Sequence, residues 1–450
     1  MATATHNGPL AVRDFRLLSI GQLTSTVGDY CYAVALPWLV LSTHGGPALL
    51  GAVLACYGIP RTVLIPAGGV LADKFGPRTV MLASDAIRCG LAGWLAILAT
   101  RHSHSLVLLG PVAALLGAGA GAFIPASYSI MPTILRPEEL PAGNSLSTAM
   151  VQLGSLTGPV LGGILVAAAG PAPALAVDAV SFAVSAIGLA LIGSPNLATA
   201  IARGASAAGS AAPARPDLTP GPVGGHSAIA PGELTTTHQD SQNDALKLWP
   251  FLRQARLLQA IVLVAVVANI TTGGTFEVAL PALAHQRYGA SGYGALIACF
   301  GGGMLVGTLA ASRGDKLQRP AVVALNAFLV EAALTCLVPF AGLAGAGLVL
   351  ALFGMCNGFG NIVVITLIQQ WAPSQLLGRV MSLVMLAGLG IFPASVAIAG
   401  VLVRQLGPTP FFPAAGLFLA IAILGGLAAQ EVRDLGAAAP APAQAAELVR

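Results

Sequence analysis

The sequence predicts an all-α polytopic membrane protein with twelve transmembrane helices in two six-helix lobes. Three observations carry this expectation. First, of 450 residues 56% are hydrophobic and only 8% charged, with a mean hydropathy of +0.83. A soluble domain carries about 25% charged residues, so this chain cannot cover a water-facing surface of its size. Second, the apolar residues come in runs of roughly 20, the length that spans a bilayer; the ten-residue alternation of a transmembrane β-barrel is missing. Third, one long stretch from Gly204 to Gln242, rich in Ala, Pro, Gly, Ser and Thr and without periodicity, divides the runs into two sets of six.

Taken in order, the polar start MATATHNGPLAVRDFR shows no cleavable signal peptide, and residues 1–15 precede the first span at 16–40. The second span, 47–71, ends in the polar, Gly-containing break Gly69–Met81. The third, 79–100, leads to an outer loop with His102 and His104, a poor metal site without further ligands nearby. The fourth, 106–131, and fifth, 142–169, are separated by the polar turn from Arg136 to Pro141, and the sixth runs 174–193. The segment 194–256 reads as a largely disordered linker. Spans at 257–280, 292–312, 321–341, 345–370, 378–403 and 409–429 form the second lobe, and 430–450, with its Ala-Pro repeats, reads as a disordered tail.

The basic residues set the orientation. With the N-terminus inside, Arg13, Arg16, Lys74, Arg78, Arg136, the linker cations, Arg313, Lys316, Arg319, Arg379 and Arg433 are cytoplasmic, and only Arg101, Arg287 and Arg404 lie outside. The positive-inside rule therefore places both termini and the linker in the cytoplasm; the expected location is the cell inner (plasma) membrane, as a multi-pass protein. All six cysteines fall in apolar runs and read as small buried hydrophobes. There is no Gly-x-x-x-x-Gly-Lys-Ser/Thr loop for ATP and no Ser/His/Asp arrangement, so the chain is not read as an enzyme.

The halves echo each other. Gly69-x-x-x-Asp73-Lys74-x-Gly76-x-Arg78 follows the second span, and a looser Gly307 to Arg319 stretch with Asp315 and Lys316 follows the eighth. Pro137-Glu-Glu-Leu140 precedes the fifth span and Pro373-Ser-Gln-Leu376 the eleventh. Two parallel six-helix repeats account for both.

With these features the chain resembles the major facilitator superfamily of transporters. That family's loop signature matches at Gly69, Asp73, Lys74, Gly76 and Arg78, with Pro77 in place of a basic residue. A second stretch, Gly154-x-x-x-Gly158-Pro159-x-x-Gly162-Gly163, resembles the antiporter motif of its drug exporters, with Ser145 where the pattern opens on Gly. Gly28-Asp29, Ala35-Leu-Pro-Trp38, Ser84-Asp85-x-x-Arg88 and Gln370-x-x-Pro373-x-x-x-x-Gly378-Arg379-Val380-x-Ser382 are similar to the macrolide-efflux and enterobactin-exporter branch. The resemblance implies a secondary transporter with a central cavity. It would export a hydrophobic or amphipathic small molecule (a drug, natural product or siderophore) by proton antiport. A lipid or lysolipid transporter, an importer of the same fold, and a non-transporting receptor or scaffold stand as alternatives. The expected partners are a small-molecule substrate and the lipid bilayer, with no nucleic acid and a monomeric state; no cofactor is expected beyond a proton gradient.

Residue roles follow as expectations. By resemblance, Gly69, Asp73, Lys74, Gly76 and Arg78 form with Gly378 and Arg379 a gate latch; the stretch also reads as a helix-ending turn with topogenic charges. The glycines around Pro159 permit close helix approach, and the resemblance adds a seal against leak. Small-residue runs at Gly117, Gly119, Gly121 and Gly301 to Gly303 read as packing. Ionisable residues inside spans are costly and point to function. Asp29 and Arg61 sit at similar depth and can pair, either as a static buried pair or as one that opens during the cycle. Asp85 and Arg88 share a helix face, Glu331 lies mid-span, and Glu277 and Asp178 fall near the outer ends of their spans, where water reaches. Gln22, Tyr30, Gln152, Asn269, Phe276, Glu277, Asn357, Asn361 and Gln369 are cavity candidates, with interhelical hydrogen bonding or packing as the other reading of each.

Overall fold

The computed structural model describes residues 8–42, 45–100, 106–193, 256–311, 319–371 and 390–428, with isolated positions between 380 and 388. The linker, the tail, Gly378, Arg379 and the loop histidines lie outside the described residues. Among the described residues there is no β-strand.

The first half contains α1 (Arg13–Leu41), α2 (Gly46–Phe75), α3 (Pro77–Ala99), α4 (Leu106–Ile134), α5 (Leu140–Ala169) and α6 (Pro171–Leu191). The second contains α7 (Arg256–Gly274), a π-helical turn at Thr275–Ala279, and α8 (Leu280–Arg287), which together make the seventh span. It continues with α9 (Gly289–Ala311), α10 (Pro320–Leu337), α11 (Leu343–Trp371), α12 (Phe392–Leu406) and α13 (Pro408–Ala428). Ten helical stretches among the described residues are long and apolar enough to cross a membrane. Two spans stand outside that set: α1, which carries Arg13, Asp14, Arg16 and Asp29, and α12, whose described part is short.

Glycine and proline set three of the helix joints. Gly76, Gly170 and Gly407 have φ of 83°, 79° and 82°, a region that costs glycine nothing. Each is followed by a proline at the first position of the next helix, where its missing N–H has no intrahelical partner to lose. The helix-ending turn expected in this stretch thus falls at Gly76, and Gly170–Pro171 and Gly407–Pro408 occupy the same joint in the two halves.

The packing repeats as well. In the first half α1 packs on α5 and α6, α3 on α4 and α6, and α2 on α4. In the second, α7 packs on α12 and α13, α10 on α11 and α13, and α9 on α11. The lobes meet through α5 with α9 and α2 with α12, two interfaces that exchange under the same operation. Glycine makes the matched α2–α4 and α9–α11 contacts tight. A Cβ at Gly117 would lie 1.9 Å from the Tyr57 carbonyl, and one at Gly303 would lie 1.8 Å from that of Ala351.

Candidate functional site

The face carrying the Asp73 turn is called the loop face, and the one carrying Leu41 and Gly46 the far face. A cavity of about 450 Å³ opens in the first lobe toward the loop face. α1 supplies Leu17, Leu18, Gly21 and Gln22; α4 supplies Phe123, Ser127, Tyr128 and Met131; α5 supplies Asn144, Ser147, Thr148 and Val151; α3 and α6 complete it with Met81, Ser185 and Leu189. Among the described residues its wall holds no Asp, Glu, Lys, Arg or His. It therefore offers apolar area and uncharged hydrogen-bonding groups. Tyr128, 78% exposed, stands in its open side.

Of the residues expected to line a cavity, only Gln22 does so here. Tyr30 and Gln152 are half-buried, and Gln152 accepts from Ser155 Oγ at its backbone (2.8 Å) and side-chain (3.4 Å) oxygens. Asn269 donates to Ala265 O of its own helix (2.8 Å). Phe276 is a correction: it is 8% exposed and packs in a trio of rings with Phe300 and Phe353, centroids 4.5 and 5.0 Å away. Glu277 sits half-buried in the π-helical turn, a feature that often marks functional sites. Gln369 is exposed near the end of α11. The missed stripe on α5 was present as a signal: Asn144, Ser147 and Thr148 are spaced i, i+3, i+4 and so share a face.

The buried charges converge in the first lobe. Arg88 Nη2 donates to Asp29 Oδ1 at 2.5 Å, and Nη1 stands 4.0 Å from Asp85 Oδ1. Its guanidinium lies over the Phe182 ring, 3.9 Å from the centroid. Gly119 makes the room: a Cβ there would come 3.0 Å from Arg88 Cγ. Asp29 is the open end of the group, its side chain 45% exposed against 7% for Arg88 and 0% for Asp85. Asp178, expected near water, is 2% exposed, and its Oδ1 has no hydrogen-bond partner.

The Asp29–Arg61 pair is not formed. Depth along the membrane brings these residues level, but α1 packs chiefly between α5 and α6 and barely on α2. Arg88 arrives instead from α3, which packs on α6. Arg61 stacks on Tyr57 of its own helix, 5.8 Å from the ring centroid, with its Nε unpaired.

At the loop face Asp73 and Lys74 are exposed, and Gly69 has open space beside it. Arg78 Nε and Nη2 donate to Leu189 O and Ala190 O, both at 2.7 Å. A cation on the terminal carbonyls of α6 satisfies groups that the helix cannot. Arg78 thus ties α3 to α6 inside one lobe.

Close approaches between lobes among the described residues lie from mid-helix to the far face. A Cβ at Gly163 would meet Ala290 O at 2.9 Å, and one at Gly294 would meet Pro159 O at 2.2 Å. One at Gly51 would meet Val396 O at 2.4 Å, and one at Gly58 would meet Phe392 Cδ1 at 2.9 Å. Trp38 also stacks near His285, centroids 4.6 Å apart. The rest of the α5 motif faces α1: Gly154 against Thr26, Gly158 against Tyr30 and Gly162 against Cys31. The motif is therefore a two-sided seam, with Gly154, Gly158 and Gly162 inside the lobe and Pro159 and Gly163 across the interface.

In the second lobe Glu331 is 1% exposed. Asn357 Nδ2 reaches its two carboxyl oxygens at 3.4 and 3.3 Å, and Asn361 Nδ2 donates to Asn357 Oδ1 at 3.0 Å.

Comparison with known proteins agrees with this architecture. The sequence matches the Major Facilitator Superfamily profile over residues 18–395. The multidrug efflux pump Tap of Mycolicibacterium fortuitum is 31% identical over 197 residues, 42% of this chain and 46% of that protein. An uncharacterized transporter of the superfamily from Sinorhizobium fredii is 25% identical over 410 residues, 87% of this chain and 88% of its own. The lysophospholipid transporter LplT of Pectobacterium carotovorum is 32% identical over 161 residues, 35% of this chain and 37% of its own. The alignments with Tap and LplT thus span less than half of those relatives. Among solved structures, a mutant form of the nucleoside transporter NupG superposes with a TM-score of 0.67 at 13% identity, covering 92% of this chain and 99% of that one; this likeness concerns the fold. The chain belongs to the major facilitator superfamily: it is an integral membrane transporter and not an enzyme.

Proposed function

We propose that this member of the major facilitator superfamily exports an uncharged or weakly charged amphipathic small molecule, in exchange for protons, by alternating access. The observation that carries the reading is the cavity itself. It opens to the loop face, its wall holds no charged side chain among the described residues, and toward the far side the lobes approach closely at glycines. An apolar wall with scattered hydroxyls and amides suits a drug-like or natural-product molecule. In this reading the loop face is cytoplasmic, as the basic residues suggest, both termini lie inside, and the protein sits as a monomer in the plasma membrane. The structure then corresponds to the loading state.

Rocking of the lobes would open the α5–α9 and α2–α12 seams and close the loop face. Asp73, Gly378 and Arg379 would take part in that closure. Asp29 is the coupling group of choice, because it is the carboxylate of the Arg88 cluster that solvent reaches. A proton on Asp29 would release Arg88 toward Asp85, which stands 4.0 Å away. Proton uptake and rearrangement of the first lobe would then be one event.

The test is efflux from proteoliposomes preloaded with a fluorescent amphipathic dye, with and without an imposed pH gradient. Accelerated loss with protons on the receiving side, abolished in Asp29→Asn, is the expected result. Equal loss from empty and protein-bearing vesicles sinks the reading. A second reading, lysolipid movement, draws on the similarity to LplT; a labelled lysophospholipid moving faster than the dye, without a pH gradient, would favour it.

A further inference from the structure

We propose that Glu331 is a second proton-binding site, in the lobe opposite the Arg88 cluster, with Asn357 and Asn361 connecting it to water on the loop-face side. Glu331 and Arg88 are positional counterparts. Each lies eleven residues after the proline that opens its helix, Pro320 of α10 and Pro77 of α3. Each of these helices packs on the matching pair of neighbours, α11 and α13 or α4 and α6. In the first lobe the position holds a cation that gathers carboxylates. In the second it holds a lone acid.

The surroundings of that acid decide its state. α10, the turn Val338–Phe340, α11 and α13 carry no Lys, Arg, His or Asp and no other Glu. Their remaining titratable groups are the thiols of Cys336 and Cys356. At 1% exposure, a carboxylate opposed among the described residues only by one neutral amide at 3.3–3.4 Å lacks there the counter-charge that burial of an anion requires. Adding a proton to one carboxyl oxygen removes the charge.

The route to it is built on one face of α11. Leu348, Leu352, Met355 and Ile362, all exposed, form the opposite face at about 100° per residue and suit lipid. Asn357 and Asn361 lie away from them. Asn361 is exposed and one turn nearer the loop face than Asn357, and its amide holds Asn357 Oδ1 while Asn357 holds Glu331. A proton arriving on water at Asn361 meets the carboxylate when the Asn357 amide gives way. Glu331 thus binds its proton in a lobe that moves relative to Asp29.

This site stands whether or not the protein exports its substrate against protons, and its readout needs no transport. Infrared difference spectra of the purified full-length protein in lipid nanodiscs, recorded while pH is stepped, read it directly. Wild type should show the C=O stretch of a protonated carboxylic acid that disappears as pH rises and is missing from Glu331→Gln. Asn357→Leu should keep that band but shift its frequency, because the amide hydrogen bond is lost. Asn361→Leu should keep band and frequency while slowing hydrogen–deuterium exchange severalfold. A band set unchanged by Glu331→Gln overturns the proposal. If that variant fails to fold, an Asn357→Leu spectrum identical to wild type overturns it equally.

Discussion

Arg88 of α3 binds Asp29 of α1 across 2.5 Å, and the same guanidinium faces Asp85 at 4.0 Å and lies in the field of Asp178. One cation therefore serves three carboxylates on three helices, α1, α3 and α6. Removing the cation leaves all three uncompensated, while removing Asp29 leaves Arg88 with partners. Breaking a buried pair from one side costs about 3–5 kcal/mol in typical cases. Since Asp29 is 45% exposed, we expect about 3 kcal/mol for Arg88→Leu, the low end of that range. Asp29→Asn should cost clearly less. Thermal unfolding of both variants in detergent checks the order, and an Asp29→Asn protein as unstable as Arg88→Leu would contradict it.

The glycine contacts between α2 and α4 and between α9 and α11 predict a matched pair of defects. A Cβ at Gly117 or Gly303 would fall within 2 Å of a backbone oxygen, which no rotamer change relieves. Gly117→Ala and Gly303→Ala should each destabilise by about 1–3 kcal/mol through overpacking. Gly90→Ala, with nothing within 4 Å of its added Cβ, should be neutral or slightly stabilising. The three melting temperatures measured side by side decide it; a Gly117→Ala protein as stable as Gly90→Ala would disprove the close approach.

Which parts of this were legible in the sequence has a physical explanation. Apolar runs of bilayer length, the helix-ending turn at Gly76 and the packing role of Gly117, Gly121 and Gly303 were all readable, because each depends on local chemistry; the part Pro77 plays in opening α3 was not read. Depth was readable too, since rise per residue is fixed. Azimuth was not. Helices apolar on every side carry little periodic mark of which face meets which neighbour, so Asp29 was matched by depth to Arg61 when packing gives it Arg88. The same gap left Phe276 among the cavity residues and Asp178 near water. The π-helical turn around Glu277 has no sequence signature that was recognised.

The turn at the loop face yields a functional prediction separate from folding. Asp73 is exposed, and none of the described residues pairs with it, whereas Arg78 is engaged with the end of α6. Asp73→Asn should therefore insert and melt as wild type does, and lower efflux severalfold if Asp73 acts when the loop face closes. Membrane abundance and dye efflux, measured on the same cells, separate the two effects. Normal efflux at normal abundance would remove Asp73 from the gate.

The far-face seam gives the last prediction. Gly163 and Gly51 let α5 approach α9 and α2 approach α12, with a Cβ at either position lying 2.9 or 2.4 Å from a backbone oxygen of the other lobe. A larger side chain at these positions cannot be accommodated while the seam is closed, but it has room once the lobes part. Gly163→Leu and Gly51→Leu should therefore raise the population open at the far face, and a state favoured by even about 1.4 kcal/mol changes tenfold in ratio. Trp38 reports on this, because on α1 it packs near His285 of α8, another contact between the lobes at the far face. In a background lacking reactive native thiols, a Trp38→Cys probe should react with a membrane-impermeant maleimide faster when Gly163→Leu is added. Unchanged labelling, with the double variant folded, would show that the α5 glycines serve packing within the lobe and do not control opening of the far face.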